Sequence, residues 1–289
     1  MAKKGMDRLE TMPVSPHARL TRGLLRVWTV LVLGYLYLPI AFLILFSFED
    51  SSSVGFPFTG FTLKWYQGLP ENTPLLGAIW QSVTTAAIVA LLATIVGVMA
   101  AFPLVRSGMR FPNIARILFT MPIMMPGLII GIGILIFLAS YLKVQLSQLT
   151  VIAGHLVLTM PFVVLIVSAR LSGFDRKLEW AAADLGANSR QVLRLIVLPL
   201  IFPAILGGAL ISVTLSIDEF VVTFWTVGPK LTLPIYIYTQ IKFGVTPEVN
   251  AVATLVLFFS LSVLAIAGIL AVATGRARRF RRERAGGAA

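Results

Sequence analysis

Long apolar segments recur through this chain of 289 residues, and they constrain its fold more than any other feature. A helix that crosses a bilayer needs ~20 predominantly apolar residues. Because 57% of the residues are hydrophobic and only 12% are charged, a soluble fold of this size has no core that could hide them. We predict an all-α integral membrane protein with six transmembrane helices, at about residues 27–48, 78–105, 114–139, 149–168, 197–226 and 250–274.

The first apolar segment follows a basic stretch, as a secretory signal would. Its apolar run of ~22 residues is longer than the ~7–15 of a signal peptide, and no A-x-A cleavage site follows it, so we predict a retained helix. Proline and glycine occur inside the third segment, at Pro122, Pro126 and Gly127, and Pro161 lies in the fourth. Neighbouring helices must satisfy the backbone at such positions, which favours a packed bundle over separate anchors.

Lysine and arginine fall mainly on one side of the predicted membrane. Six spans put both termini on the same side as the connecting segments 106–116 and 169–196, and that side holds 20 of the 24 Lys and Arg. The positive-inside rule therefore places both termini in the cytoplasm. The net charge of +12 follows from this asymmetry. We expect contact with lipid headgroups and no nucleic-acid partner.

These features divide the chain into three parts. Residues 1–26 form a basic cytoplasmic N-terminal arm, residues 27–274 a transmembrane domain, and residues 275–289 a basic cytoplasmic tail. The membrane domain contains one long cytoplasmic loop, at about residues 170–198. That loop is the polar part of an otherwise apolar second half.

The cytoplasmic loop has the pattern of a helix, a glycine turn and a second helix. Asp175 is placed to cap the first helix, and Gly186 follows it at the position where a left-handed residue ends a helix. Asn188 and Gln191 form a weak capping-box pattern for the second helix. Apolar side chains share one face of the first helix: Leu178, Ala181, Ala182 and Leu185. This face must be covered by the bilayer surface, by the chain's own bundle or by a partner protein, and the small alanines favour a partner.

The loop resembles the EAA loop of ABC-importer permeases, whose pattern is E-A-A-x3-G-x9-I-x-L-P. The matching residues are Ala181, Ala182, Gly186, Ile196, Leu198 and Pro199. The first position differs, because Trp180 stands there and Glu179 comes one residue earlier. In the ABC-importer family this loop docks into a cleft of the partner ATPase. We expect Trp180 to contact that cleft by packing instead of by charge.

The resemblance implies a coupling helix that docks into a cytoplasmic ATPase dimer. The residues expected to contact the ATPase are Glu179, Trp180, Ala181, Ala182, Asp184, Leu185 and Gly186. It also implies a second, homologous permease subunit as the other half of a heterodimer and a periplasmic substrate-binding protein. ATP and Mg²⁺ are expected on the ATPase, with no cofactor bound by this chain, which lacks a G-x-x-x-x-G-K-[ST] motif.

Further segments resemble the spermidine/putrescine permease subfamily, in particular its PotC/PotI-type subunit. They include GFTLKWY, TLSIDEFVVTFWTVGP and TPEVNA, and the resemblance extends from about residue 28 to 275. It implies a type I ABC importer permease of MetI-like architecture in the bacterial inner membrane. The implied function is uptake of a small organic cation by alternating access.

One predicted span carries acidic residues in its interior, Asp218 and Glu219. Such residues are costly in lipid and are functional candidates by default. If the helix is continuous, Ser212, Ser216, Glu219, Thr223 and Thr226 form one polar stripe. The stripe either lines a translocation path, in which a carboxylate meets a cation, or bonds to a neighbouring helix. Trp65 either assists a passing ammonium group or anchors the chain at the interface.

Polyamine permeases of this type often carry an aspartate after the proline of the third span, where this chain has Gly127. Another small organic solute, such as an amino acid, a betaine, an opine-like compound or a phosphonate, is therefore the alternative substrate. A self-contained ion-coupled carrier is disfavoured because no internal repeat is visible. A membrane enzyme is disfavoured because no polar catalytic cluster occurs. His17 and His155 are far apart and have no cysteine partners, so we expect no metal site.

Overall fold

The computed structural model describes residues 16–106, 111–262 and 265, and the described part is almost entirely helical. Twelve α-helices follow one another along it: α1 (Pro16–Phe46), α2 (Lys64–Gly68), α3 (Thr73–Arg106), α4 (Pro112–Met124), α5 (Gly127–Leu135), α6 (Gln148–Ser172), α7 (Lys177–Asp184), α8 (Ser189–Val192), α9 (Leu198–Asp218), α10 (Val221–Thr226), α11 (Leu233–Phe243) and α12 (Pro247–Ser262). The only β-pairing among these residues is an isolated antiparallel bridge between Glu49 and Phe61.

Among the described residues, four helices are long and apolar enough to cross a membrane: Thr21–Phe46, Thr73–Arg106, Gln148–Ser172 and Ser189–Asp218. The predicted third span is instead a broken pair, Asn113–Met124 and Gly127–Tyr141, bent by 98°. The predicted fifth span ends at Asp218, eight residues before its expected end at 226. The last predicted span is described only as far as α12. The all-α membrane fold is confirmed, and two spans differ from the sequence expectation because their helices break.

The chain forms two compact units. The first contains α1 and α12 with the segment that follows α1, up to Gln67, and the second runs from Gly68 to Gly244. In the first unit α1 begins at Pro16, so residues 16–26, assigned from sequence to the cytoplasmic arm, are helical. The remaining residues of the arm and the predicted tail at 275–289 lie outside the described residues.

The core of the second unit is the packing of α3, α6 and α9. Small residues on α3 and α9 allow close approach, which is how helices pack in lipid, where apolar burial gives no driving force. Val163 of α6 lies between two of them: a Cβ added at Gly97 would be 2.7 Å from the Val163 Cβ atom, and one at Gly208 3.3 Å from its Cγ1 atom. The buried side chains of the cluster around this contact are Ala93, Ala101, Val163, Val167, Leu171, Val197 and Ile201.

Candidate coupling and translocation sites

The turn after α7 is fixed by backbone hydrogen bonds that require a residue in the left-handed conformation, here Gly186. The N–H of Gly186 donates to the Ala183 carbonyl at 2.9 Å, and the N–H of Ala187 to the Ala182 carbonyl at 3.0 Å. This is the Schellman pair that ends a helix on a left-handed residue, and Gly186 has φ +88. At the other end of α7, the Asp175 carboxylate accepts the Lys177 N–H at 3.0 Å. The predicted glycine turn is present, and Asp175 bonds to the first turn although Arg176 is the residue that directly precedes α7.

The second helix of the loop is capped in both directions. Asn188 Oδ1 accepts the Gln191 N–H at 3.0 Å, and Gln191 Oε1 accepts the Asn188 N–H at 2.8 Å. A π-helical turn, Leu193–Val197, then connects α8 to α9 without a gap. Residues Ser189–Asp218 are therefore one continuous helical rod, so the second helix of the cytoplasmic loop is the end of a membrane span.

The face of α7 that the sequence singled out is open. Trp180 is 59% exposed and Leu185 is 89% exposed, and Leu178, Ala181 and Asp184 are exposed as well. Ala182 is half-buried. The sequence left three surfaces that could cover this apolar face: the bilayer, the chain's own bundle and a partner protein. The described part of the bundle leaves most of the face exposed.

Glu179 points in a different direction from these residues and forms an ion pair with Arg106, the last residue of α3. The Arg106 side chain is only 15% exposed and that of Glu179 20%. The guanidinium also lies 5.7 Å from the ring centroid of Phe174, which lies between α6 and α7. The displaced glutamate therefore contributes a charge contact inside the chain and ties the loop to the end of α3.

The first helix break lies between α4 and α5, at Met125 and Pro126. Proline has no N–H to donate and forces the preceding residue out of the helical region, and Met125 has ψ 135. By contrast, Pro161 lies within the unbroken helix α6. Of the residues noted in the third span, Pro126 and Gly127 therefore lie at a helix break, whereas Pro122 lies inside α4.

The second break lies between α9 and α10, at Glu219 and Phe220. Glu219 is extended, with φ −70 and ψ 109. Its Oε1 atom accepts the Val222 N–H at 2.9 Å, so the side chain satisfies a backbone donor that the break leaves free. The continuous helix on which the predicted stripe depended is not formed, because α9 ends at Asp218 and Glu219 lies in the break, where its side chain bonds to the first turn of α10.

The short helix α10 lies in a groove of glycines. A Cβ added at Gly154 of α6 would be 2.5 Å from the Val222 Cγ1 atom, and one at Gly131 of α5 would be 3.2 Å from the Val222 Cα atom. A Cβ added at Gly127 would be 3.6 Å from the Val221 Cβ atom. Gly127 begins α5 and Val221 begins α10, so the two helix breaks lie side by side.

The hydroxyl residues of the predicted stripe point into the bundle and are buried: Ser212, Ser216, Thr223 and Thr226. Ser216 and Thr223 are hydrogen-bonded to opposite ring nitrogens of His155, each at 2.7 Å. The Thr226 carbonyl accepts the Thr150 hydroxyl of α6 at 2.6 Å. These contacts support the helix-packing interpretation of the hydroxyls that the sequence left open.

His155 was missed by the sequence analysis, which considered it only as a metal ligand. It lies about two turns inside α6, which begins at Gln148. The available signal was an ionisable side chain within an apolar span, which marks a functional candidate by default.

Asp218 and Glu219 differ in their surroundings. Asp218, the last residue of α9, is exposed, and the described residues give it no hydrogen bond or ion pair. Glu219 is half-buried and uses one oxygen at the break. The Asp218 carboxylate, which has no hydrogen-bond partner among the described residues, therefore lies next to the Glu219 carboxylate, which uses one of its two oxygens.

The family follows from comparison with known proteins. Residues 93–279 match the family described as binding-protein-dependent transport system inner membrane component. This chain is a member of that family. The permease is accordingly a multi-pass protein of the bacterial inner membrane and a transport component of an ABC importer instead of an enzyme.

Several permeases are similar in sequence to this chain over most of its length. The spermidine/putrescine transport system permease protein PotC of Escherichia coli K12 is 40% identical over 242 residues, which are 83% of the permease and 90% of PotC. The putrescine transport system permease protein PotI of the same strain is 36% identical over 79% of the permease and 84% of PotI. A putative 2-aminoethylphosphonate transport system permease protein, PhnV of Salmonella choleraesuis SC-B67, is 30% identical over 79% of the permease and 86% of PhnV.

Solved structures of ABC importers share the fold. A bacterial ABC transporter that imports the acidic polysaccharide alginate superposes with a TM-score of 0.71 at 14% identity, over 89% of the permease and 99% of that chain. The inward-facing MetNI methionine ABC transporter gives a TM-score of 0.58 at 17% identity, over 70% and 96%. At these identities the similarity establishes the MetI-like architecture alone.

Trp65, the remaining predicted site residue, lies in the first unit of the permease. Its indole N–H donates to the Glu49 carbonyl at 2.7 Å, and the Lys64 ammonium lies 5.0 Å from its ring centroid. Glu49 is itself fully buried, and the hydroxyl of Thr59 lowers the pKa of its carboxyl, so this carboxylate is charged where it anchors the loop. Trp65 already has a cation from its own chain, which favours a structural role in tying α2 to the segment that precedes it.

Charge reversal at Glu179 tests the contact between the loop and α3. Glu179→Arg places two guanidinium groups together in a poorly hydrated site, and we expect uptake by the assembled importer in proteoliposomes to fall ~tenfold. The double variant Arg106→Glu/Glu179→Arg restores the attraction and is expected to recover most of the uptake. A double variant as impaired as the worse single variant would show that the ion pair itself is unimportant.

Proposed function

We propose that the permease imports a small organic cation, a polyamine of the spermidine or putrescine type, by alternating access. The observation that carries this proposal is the exposed, unengaged carboxylate of Asp218 beside Glu219 at a helix break. A carboxylate without a partner attracts a cation strongly where little water is present. The names of PotC and PotI, the relatives described above, support the same class of substrate.

The energy for this transport would come from ATP hydrolysis by a cytoplasmic ATPase dimer. The dimer would hold ATP and Mg²⁺ and bind α7 in a cleft. The exposed Trp180 and Leu185 supply an apolar contact surface, and Trp180 would fill the cleft by packing. Gly186 and the two caps keep the loop rigid, so a push on α7 moves α8 as one piece. The ion pair of Glu179 with Arg106 would pass the same displacement to α3.

The route from the ATPase to the carboxylates is a continuous helical rod. At ~1.5 Å per residue, Ser189–Asp218 extends ~45 Å from the loop to the break between α9 and α10. Movement of the loop would therefore tilt the far end of α9, where Asp218 lies. A second, homologous permease subunit would supply the other wall of the path, and a periplasmic binding protein would deliver the solute.

A second candidate substrate has one observation in its favour. Gly127 stands beside Val221 at the paired breaks, where the polyamine subfamily often has an aspartate. Fewer carboxylates at this point would suit a solute of lower positive charge, and the relative PhnV is named for 2-aminoethylphosphonate, a zwitterion. Competition for labelled spermidine uptake by putrescine and by 2-aminoethylphosphonate separates the candidates, since only a true substrate class competes at low concentration.

Neutralising the carboxylates tests the cation path directly. Asp218→Asn is expected to lower uptake of a labelled polyamine at least ~tenfold, the equivalent of ~1.4 kcal/mol, because the attraction between the carboxylate and the cation is lost. Glu219→Gln is expected to have a smaller effect, since its amide oxygen can still accept the Val222 N–H. The matched control is Glu71→Gln, an exposed carboxylate in the turn before α3. Unchanged uptake in both variants, with the complex assembled, would overturn the proposed path.

A further inference from the structure

The hydrogen bonds of His155 connect both sides of the second helix break. Ser216 lies in the last turn of α9 and Thr223 in the first turn of α10, and one imidazole contacts both hydroxyls at 2.7 Å. In a continuous helix, positions seven residues apart are separated by ~10.5 Å along the axis. That separation exceeds the reach of a single ring with its two hydrogen bonds. The contact therefore depends on the break.

The direction of these bonds follows from counting hydrogens. The Thr223 hydroxyl donates its one hydrogen to the Glu219 carbonyl at 2.7 Å, so toward His155 its oxygen can only accept. His155 Nε2–H is therefore the donor to Thr223. In the neutral ring Nδ1 is then the acceptor, and it receives the Ser216 hydroxyl. A one-way chain runs from Ser216 through His155 and Thr223 to the backbone of Glu219.

This chain ends at the residue where the helix breaks. Glu219 is held twice: its carbonyl accepts from Thr223, and its side chain accepts from the Val222 N–H. The Asp218 carboxylate is one residue away. His155 is 1% exposed, so it does not itself meet a solute in this conformation. Its effect on the substrate would pass through the backbone that carries the two carboxylates.

We propose that His155 is a positioning residue of the substrate site, which holds the break between α9 and α10 in the geometry that presents Asp218 and Glu219. This inference rests on the proposed function and extends it to a side chain of α6. Loss of the imidazole frees the break while both carboxylates remain. The site then keeps its charge and loses its fixed geometry.

The first test uses the assembled importer in proteoliposomes. It measures the half-saturating substrate concentration (KM) of polyamine uptake and the maximal ATPase rate. His155→Leu removes both bonds and is expected to raise KM ~tenfold, with the maximal ATPase rate within twofold of the unmodified importer. Ser216→Ala removes one bond with little change in volume and is expected to raise KM ~threefold. Ser216→Ala keeps the test decisive if His155→Leu fails to assemble.

A double-variant cycle separates positioning from general packing. If His155 acts through the carboxylates, His155→Leu adds less than ~threefold to the KM of Asp218→Asn, because the site it would position is already lost. If His155 only packs the bundle, the two effects multiply. Multiplied effects, or normal KM in both His155→Leu and Ser216→Ala, would overturn the proposal.

A second readout needs no substrate and distinguishes this inference from the proposed function. The permease contains no cysteine, so Val221→Cys places a single thiol at the start of α10, where the side chain is 41% exposed. His155→Leu is expected to change the rate of thiol labelling severalfold, and Glu71→Gln is expected to leave it unchanged. If His155→Leu changes the labelling rate but Asp218→Asn does not affect uptake, His155 holds the break between α9 and α10 and the proposed cation path is rejected. An unchanged labelling rate in His155→Leu would show that His155 does not hold the break between α9 and α10.

Discussion

Replacing Gly186 by valine is expected to separate ATP hydrolysis from uptake. Gly186 has φ +88, a region that costs an L-residue ~1–2 kcal/mol and a β-branched residue more. The strain would break the Schellman bonds of Gly186 and Ala187 to the carbonyls of α7. With the turn undone, α7 no longer holds a fixed angle to α8. We expect uptake in proteoliposomes to fall at least ~tenfold while the ATPase rate of the complex remains substantial.

Two further variants show whether the backbone conformation is responsible. Gly186→Asn keeps a residue that tolerates the left-handed conformation, and it is expected to retain most of the uptake. Gly173→Ala changes a second glycine of the same cytoplasmic segment, where φ is −84 and the atom nearest to an added Cβ is the Ala169 carbonyl oxygen at 3.5 Å, so little loss is expected. Equal losses in Gly186→Val and Gly186→Asn would show that the side chain, and not the turn, matters.

Replacing Gly154 by valine is expected to abolish uptake by displacing α10. The added Cβ would stand 2.5 Å from the Val222 Cγ1 atom, and Val222 is fully buried, so neither side chain has room to move. Overpacking of this kind costs ~1–3 kcal/mol and shifts backbone. Because Gly154 precedes His155, the shift would also disturb the hydrogen bonds that cross the second break. Uptake of labelled polyamine and the yield of assembled complex are both measured.

A compensating change makes this prediction specific to one contact. Val222→Ala removes the Cγ1 atom that the new side chain would meet, and Gly154→Val/Val222→Ala is expected to recover a large part of the uptake. Gly133→Val is the matched control, since that glycine of α5 has no atom within 4 Å of an added Cβ. A loss in Gly133→Val as large as that in Gly154→Val would show that the helices tolerate no larger residue anywhere.

The cytoplasmic loop was predictable from sequence because its structure is local. Asp175, Gly186, Asn188 and Gln191 each act within a few residues of their own position, and all four form the bonds that their pattern indicated. The ion pair of Glu179 with Arg106 was not predictable in this way. Its partners are far apart along the chain, and the pairing depends on how α7 packs against the end of α3.

The two helix breaks show the same division. Pro126 carries a local signal for the first break, since proline cannot continue the hydrogen bonds of a helix. The second break occurs in IDEFV, which contains no proline and no glycine. Its cause lies in distant segments: Gly127, Gly131 and Gly154 admit α10 to a groove, and His155 bonds to hydroxyls 61 and 68 residues away.

The sequence alone determined that the protein is a helical membrane permease, because hydrophobic length, charge asymmetry and the EAA-type loop are properties of contiguous residues. It also singled out Asp218 and Glu219, because a carboxylate in an apolar span is conspicuous wherever it points. Only the tertiary structure decided that Ser216 and Thr223 bond to His155, and that Asp218 ends one helix while the Glu219 side chain caps the next. The direction of a side chain in a bundle depends on which helices surround it, and no local pattern contains that information.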